Sequence, residues 1–125
     1  MTLSLNAYDD QNIFARILRK EIPAKVVYED DVALAFHDVA PAGPVHVLVI
    51  PKTPVTCLTS FLEKSEIDIA AFWKAVQKTI ETLALEPGGF RIIINQGGHG
   101  GQEVPHLHVH ILGGENIGAL RAPKA

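Results

Sequence analysis

Cysteine is nearly absent from this 125-residue chain: Cys57 stands alone. A single thiol closes no internal disulfide and builds no thiolate zinc site by itself, which fits a reducing compartment. A dominant charge is also missing, because 11 basic and 14 acidic residues are scattered along the chain for a net charge of -3. No electrostatic footprint for nucleic acid is visible, so any anion must be bound locally. No apolar run approaches the ~20 residues that a bilayer span needs, and Met1 to Asp10 lacks the basic and apolar regions of a signal peptide. The expectation is a cytoplasmic chain with no membrane partner. With 47% hydrophobic and 20% charged residues, the composition is that of one globular domain. What is left to explain is histidine. There are six, and His106, His108 and His110 fall within one short stretch.

The polar, aperiodic residues 1–11 are expected to form a flexible tail. Asn12 is a good N-cap for a short helix whose stripe is Ile13, Phe14, Ile17 and Leu18, closed by Pro23. Lys25 to Glu29 and Val32 to Asp38 are two β-rich runs around an Asp30-Asp31 turn, and His46 to Ile50 is a third strand stopped by Pro51. Ser65 caps a long helix with Ile69, Phe72, Trp73, Val76, Ile80 and Leu83 at helical spacing, ended by Pro87-Gly88-Gly89. Phe90 to Asn95 and His106 to Leu112 are the fourth and fifth strands, separated by the glycine-dense loop Gly97 to Gly101. This order predicts an α+β fold: an antiparallel five-stranded sheet, one long helix on one face and a short N-terminal helix. The ordered domain spans residues 12–114, and residues 115–125 are a C-terminal tail.

In His106-Leu107-His108-Val109-His110-Ile111-Leu112 the alternation is strict, so a strand puts the imidazoles on one face and the aliphatic side chains on the other. Three imidazoles bring six ring nitrogens that need partners, and stability alone gives them little reason to share a face. Two chemistries compete. Alternate histidines can ligate zinc, yet His106 and His110 would stand roughly 13 to 14 Å apart, too far to share an ion bound at ~2.0 Å. A neutral imidazole is also a nucleophile toward phosphorus, splitting one displacement into two easier ones, while neighbouring histidines move protons near neutral pH. The glycine loop favours this second use, since its N–H groups can approach an anion closely, although it lacks the lysine and the following helix of a P-loop.

His106 to Leu112 is the His-x-His-x-His-x-x signature, with x apolar, and the chain is identified by it as a member of the histidine triad family. The likeness to the family's Hint branch extends over Ile13-Phe14 to Ile22-Pro23, Ala35 to Asp38, Pro44 to Lys52, Asn95, Gly100 to Val104 and Gly113-Gly114. The resemblance implies a homodimer that needs no metal or other cofactor and hydrolyses purine nucleoside phosphoramidates such as adenosine phosphoramidate and aminoacyl or lysyl adenylates. It implies His108 as the nucleophile, His110 at the phosphate and leaving group, and His106 and His46 as supporting histidines. It further implies Asp38 on the ribose hydroxyls, and Val39, Phe36, Ile17, Ile13 and Phe14 as apolar walls around the base. Asn95, Gly101, Gln102 and Glu103 match positions near the phosphate. Glu103 stands where animal members carry serine, and the tail lacks a tryptophan found in some members.

His37 is expected on the face opposite Asp38, outside the site, and His99 is expected to be a solvated loop residue. Three other readings remain open at this point: a dinucleoside polyphosphate hydrolase using the same imidazoles, a nucleotide-binding regulatory module, and a zinc-binding protein.

Overall fold

The computed structural model describes residues 4–121. Its element order is α1 (Ile13–Leu18), β1 (Val26–Glu29), β2 (Ala33–His37), β3 (Val45–Pro51), α2 (Leu58–Phe61), α3 (Glu66–Thr82), β4 (Phe90–Ile93), α4 (Gly97–Gly100) and β5 (Val109–Gly113). All five strands form one antiparallel sheet in the order β1-β2-β3-β5-β4. The α+β architecture expected from the sequence is the one observed.

Local chemistry explains the boundaries. The Asn12 side chain accepts from Ala15 N–H at 2.9 Å and caps α1. That helix stops before Pro23, because Lys20 turns left-handed at φ 64°. Asp30 closes the first hairpin by accepting from the N–H groups of Val32 and Ala33 at 2.8 and 2.9 Å. Ser65 caps α3 through Asp68 N–H. The helix ends at Thr82 and Ala84 takes φ 53°, so chain reversal begins before Pro87.

Alternation along the strands gives the sheet two different faces. Ala33, Ala35, Val47, Val49, Val109 and Ile111 face α3 and pack with Phe72, Ala75 and Val76 in the main core. Leu34, Phe36, Leu48 and Ile50 point the other way, where Phe14 and Ile17 of α1 cover them. Fully burying one such aliphatic side chain is worth roughly 2 kcal/mol, so both layers hold the sheet. His110 sits opposite Leu48 in the β3–β5 register, which places it on the α1 face.

Two expectations are corrected here. Strand pairing of β5 begins at Val109 and not at His106. Pro51 has no N–H to extend the ladder, and its carbonyl oxygen is taken by the His106 ring. The described part of the N-terminal segment is also fastened down, since Thr56 Oγ1 donates to the Leu5 carbonyl at 3.0 Å and Tyr8 Oη lies 2.6 Å from His106 Nδ1. Leu5 and Tyr8 are half-buried while the other residues of 4–11 are exposed, so the segment is pinned at these two points instead of being loose throughout.

Candidate active site

Between α1 and the sheet lies a cavity of about 360 Å³, within the range of small-molecule sites. One end is apolar, lined by Ile13, Phe14, Ile17, Phe36, Val39 and Leu48. Ile13 and Val39, 45% and 98% exposed, are large aliphatic side chains left in water at its rim. The other end carries Asp38, Asn95, Gly101, Glu103, His108 and His110. A larger cavity of about 530 Å³, beside Leu85, Phe90, Arg91 and Ile117, contains no imidazole. Convergent polar groups, and not volume, mark the site.

Hydrogen-bond partners fix the protonation of each ring. His108 Nδ1 lies 2.7 Å from the His106 carbonyl oxygen, which can only accept, so Nδ1 carries the proton and Nε2 keeps its lone pair. His106 Nε2–H donates to the Pro51 carbonyl at 2.9 Å, which leaves Nδ1 to accept from Tyr8 O–H. Ala42 N–H donates to His46 Nδ1 at 3.0 Å, so His46 Nε2–H donates to His110 Nδ1 at 2.9 Å. His110 thereby presents Nε2–H. The array holds one nucleophilic nitrogen and one hydrogen-bond donor on adjacent rings, whose centroids are 5.1 Å apart.

Burial favours the neutral form of His106, His108 and His110. Desolvation drives His106 down to about 4, against the opposing pull of the Pro51 carbonyl. Desolvation, joined by the charges of His108 and His46, takes His110 to about 4 as well. His108 is lowered by desolvation, with the His106 carbonyl and the carboxylates of Asp38 and Glu103 acting in the opposite sense. A neutral imidazole is the form that can attack an electrophile.

Eleven of the expected residues line the cavity and three do not. His106 is fully buried behind His108 and meets the site through its backbone carbonyl. His46 is buried and works through the ring of His110. Gln102, expected near a phosphate, is instead a buried brace: its amide accepts from Gly97 N–H and donates to the carbonyls of Thr56 and Val104. The glycine run coils into a helical turn, held also by Asn95 Nδ2 donating to the Gly100 carbonyl. The N–H groups of Gly97 and Gly101 are thus spent inside the turn, on Gln102 and on the Gly98 carbonyl. His37 lines the cavity beside Asp38, contrary to the opposite-face expectation, because β2 ends at His37 and strict alternation ends with it. His99 is exposed as expected. Tyr8 was invisible to motif reasoning; its only sequence signal is Leu5 and Tyr8 recurring at apolar spacing inside a polar segment.

Asp38, His46 and His110 bring one ligand atom each to within 4.8 Å of one another. Within this group His46 Nε2 and His110 Nδ1 already share a proton between them. An ion bound through those two nitrogens would have to displace it.

The HIT domain family profile matches residues 19–117. A purine nucleoside phosphoramidase of Escherichia coli strain K12 is 36% identical over 115 residues, covering 92% of this chain and 97% of the relative. An uncharacterised HIT-like protein of Azospirillum brasilense is 44% identical over 114 residues, covering 90% and 93%. Among solved structures, a histidine triad protein from Clostridium difficile superposes with a TM-score of 0.82 at 37% identity, covering 92% of this chain and 100% of that one. A HIT family hydrolase from Clostridium thermocellum gives 0.81 at 37% identity, covering 89% and 96%. With the imidazole array, the sheet order and these matches in agreement, the chain belongs to the HIT domain family.

Proposed function

We propose that this protein hydrolyses the P–N bond of purine nucleoside 5′-phosphoramidates, with His108 as nucleophile. The observation that carries this reading is the His108 Nδ1–H to His106 carbonyl hydrogen bond of 2.7 Å, which directs the free Nε2 lone pair to the reaction. In the first step Nε2 forms a bond to phosphorus, the P–N bond breaks, and the amine leaves with the bonding electron pair and one proton taken up from solvent. In the second step water displaces the imidazole, releasing one proton and the nucleoside monophosphate. His110 Nε2–H, held by His46, is a hydrogen-bond donor for the phosphoryl oxygens in both steps, while the proton taken up in the first step is the one returned by water in the second. The base packs among Phe14, Ile17 and Phe36, and the half-buried Asp38 carboxylate, with two acceptor oxygens, suits a vicinal diol. No metal takes part in this scheme.

The leaving-group end favours an amine over a polyphosphate. Glu103 is exposed on the cavity wall beside His108 and His110, and its negative charge opposes an incoming chain of phosphates. A dinucleoside polyphosphate is thus the poorer substrate. A homodimer is part of the same reading, supported by β4 at the sheet edge, where Phe90 and Ile92 are 41% and 36% exposed. Light scattering that finds an active monomer removes it.

The decisive experiment is trapping. Incubation with adenosine 5′-phosphoramidate, rapid quenching and mass spectrometry should show a nucleotidyl adduct on His108, and His108→Ala should lose adduct and turnover together. Normal turnover by that variant overturns the proposal, and binding without turnover by the wild type would favour a regulatory module.

A further inference from the structure

The N-terminal segment carries an aromatic residue that the scheme above does not use. Tyr8 lies 98 positions from His106 in the chain, and its hydroxyl oxygen approaches His106 Nδ1 to 2.6 Å. The rings meet edge to face with centroids 5.5 Å apart. His106 is fully buried, so an unpaired ring nitrogen there has no water to turn to. Its other nitrogen, Nε2, donates to the Pro51 carbonyl. Nδ1 must accept, and the tyrosine hydroxyl is the donor that meets it. Burial raises the Tyr8 phenol above its ordinary value and takes His106 down to about 4, so donor and acceptor keep these roles across the neutral range.

We propose that Tyr8 is a positioning residue for the His108 nucleophile, acting through His106. The connection has three links. Tyr8 O–H holds the His106 ring in its Nε2–H tautomer; both ring nitrogens then anchor the residue between the N-terminal segment and Pro51; and the anchored residue's carbonyl accepts from His108 Nδ1–H. A carbonyl that is free to rotate would let His108 exchange its proton between nitrogens, and the part of the population with Nε2 protonated would present N–H to phosphorus instead of a lone pair. The segment is itself tied by Thr56 Oγ1, which donates to the Leu5 carbonyl. Thr56 also accepts at its backbone oxygen from Gln102, the brace of the glycine turn, so the strap reaches both sides of the site. Residues before the first helix thereby help to position the nucleophile.

This inference rests on the proposed phosphoramidase reading only for its kinetic arm. Tyr8→Phe removes one oxygen and keeps the ring contact with His106. With adenosine 5′-phosphoramidate it should lower kcat about fivefold, the fold-change expected for one net hydrogen bond, and leave KM within about twofold. Two-bond proton–nitrogen spectra of the imidazoles should show His106 Nδ1 losing its hydrogen-bond acceptor shift in the same variant. A ring that merely packs predicts the opposite: wild-type kcat and an unmoved His106 signal for Tyr8→Phe, and either result overturns the proposal. Thr56→Val is the second variant, loosening the strap without touching the tyrosine, and should move kcat and the His106 signal in the same direction. If the wild-type protein shows no turnover, the functional reading fails, while the His106 spectrum still decides whether Tyr8 holds the ring.

Discussion

Acid should weaken this protein before its carboxylates titrate, and His106 is the main reason. Unfolded, the imidazole binds a proton near 6.5; folded, desolvation holds it down to about 4. Between those values the unfolded state binds more protons than the native one, so stability falls as pH falls. The contribution is intact above about pH 6.5, declines through the window and is fully lost below about pH 4. Integrating between pH 7 and pH 5 gives a loss of about 2 kcal/mol from His106 alone. That is a large share of the ~5–15 kcal/mol that stabilises a typical domain. His110, also taken to about 4 by burial, adds to the loss with the same sign. Urea unfolding at pH 7 and pH 5, a range above most carboxylate titrations, measures the difference. His106→Asn starts less stable because it abandons two hydrogen bonds, but its loss over this window should shrink by about 2 kcal/mol. An equal loss in variant and wild type refutes the reasoning, as does an NMR titration in which His106 protonates near 6.5.

Gly113, the last residue of β5, and Gly114, the first beyond it, should differ in what they tolerate. At Gly114, φ is +86° and a Cβ would sit 2.9 Å from the rigid Pro44 ring, so Gly114→Ala should cost about 2–3 kcal/mol by denaturant midpoint. Gly113→Ala meets the movable tip of Leu85 at 2.8 Å and should cost about 1 kcal/mol; the reverse order would show that Leu85 cannot yield. Gln102→Leu leaves Gly97 N–H and the Thr56 and Val104 carbonyls without their amide partner, and should cost about 2–4 kcal/mol; a cost under about 1 kcal/mol contradicts its role as a brace. Phosphoramidate turnover should survive exhaustive chelation. Loss of turnover that zinc restores would instead give Asp38, His46 and His110 to a metal.

Much of the architecture was legible because period-two and period-3.6 patterns map directly onto burial. Leu107, Val109 and Ile111 were readable as core and the intervening histidines as the other face, and the structure agrees. The caps at Asn12 and Ser65 were equally plain, since each is a local side-chain to backbone bond. What escaped depends on contacts between distant residues. Gln102 reads as polar and available, yet packing buries its amide against Thr56, 46 positions away. Tyr8 reads as part of a tail until His106, at the far end of the chain, supplies its acceptor. The glycine run reads as an open loop because nothing local shows that a glutamine side chain will close it into a helical turn.

The strict alternation of the histidine segment makes the site one residue thick. Val109 is locked in the α3 core while His108 and His110, its immediate neighbours, reach the cavity from the opposite face. The chemistry therefore borrows its rigidity from the apolar layer beneath it. Heating should preserve the geometry of these two rings until the sheet itself melts, whereas the strap of residues 5–8, held by few contacts, is free to release earlier. Such a protein would lose its rate in two stages, a partial decline as the strap lets go and a complete one at global unfolding.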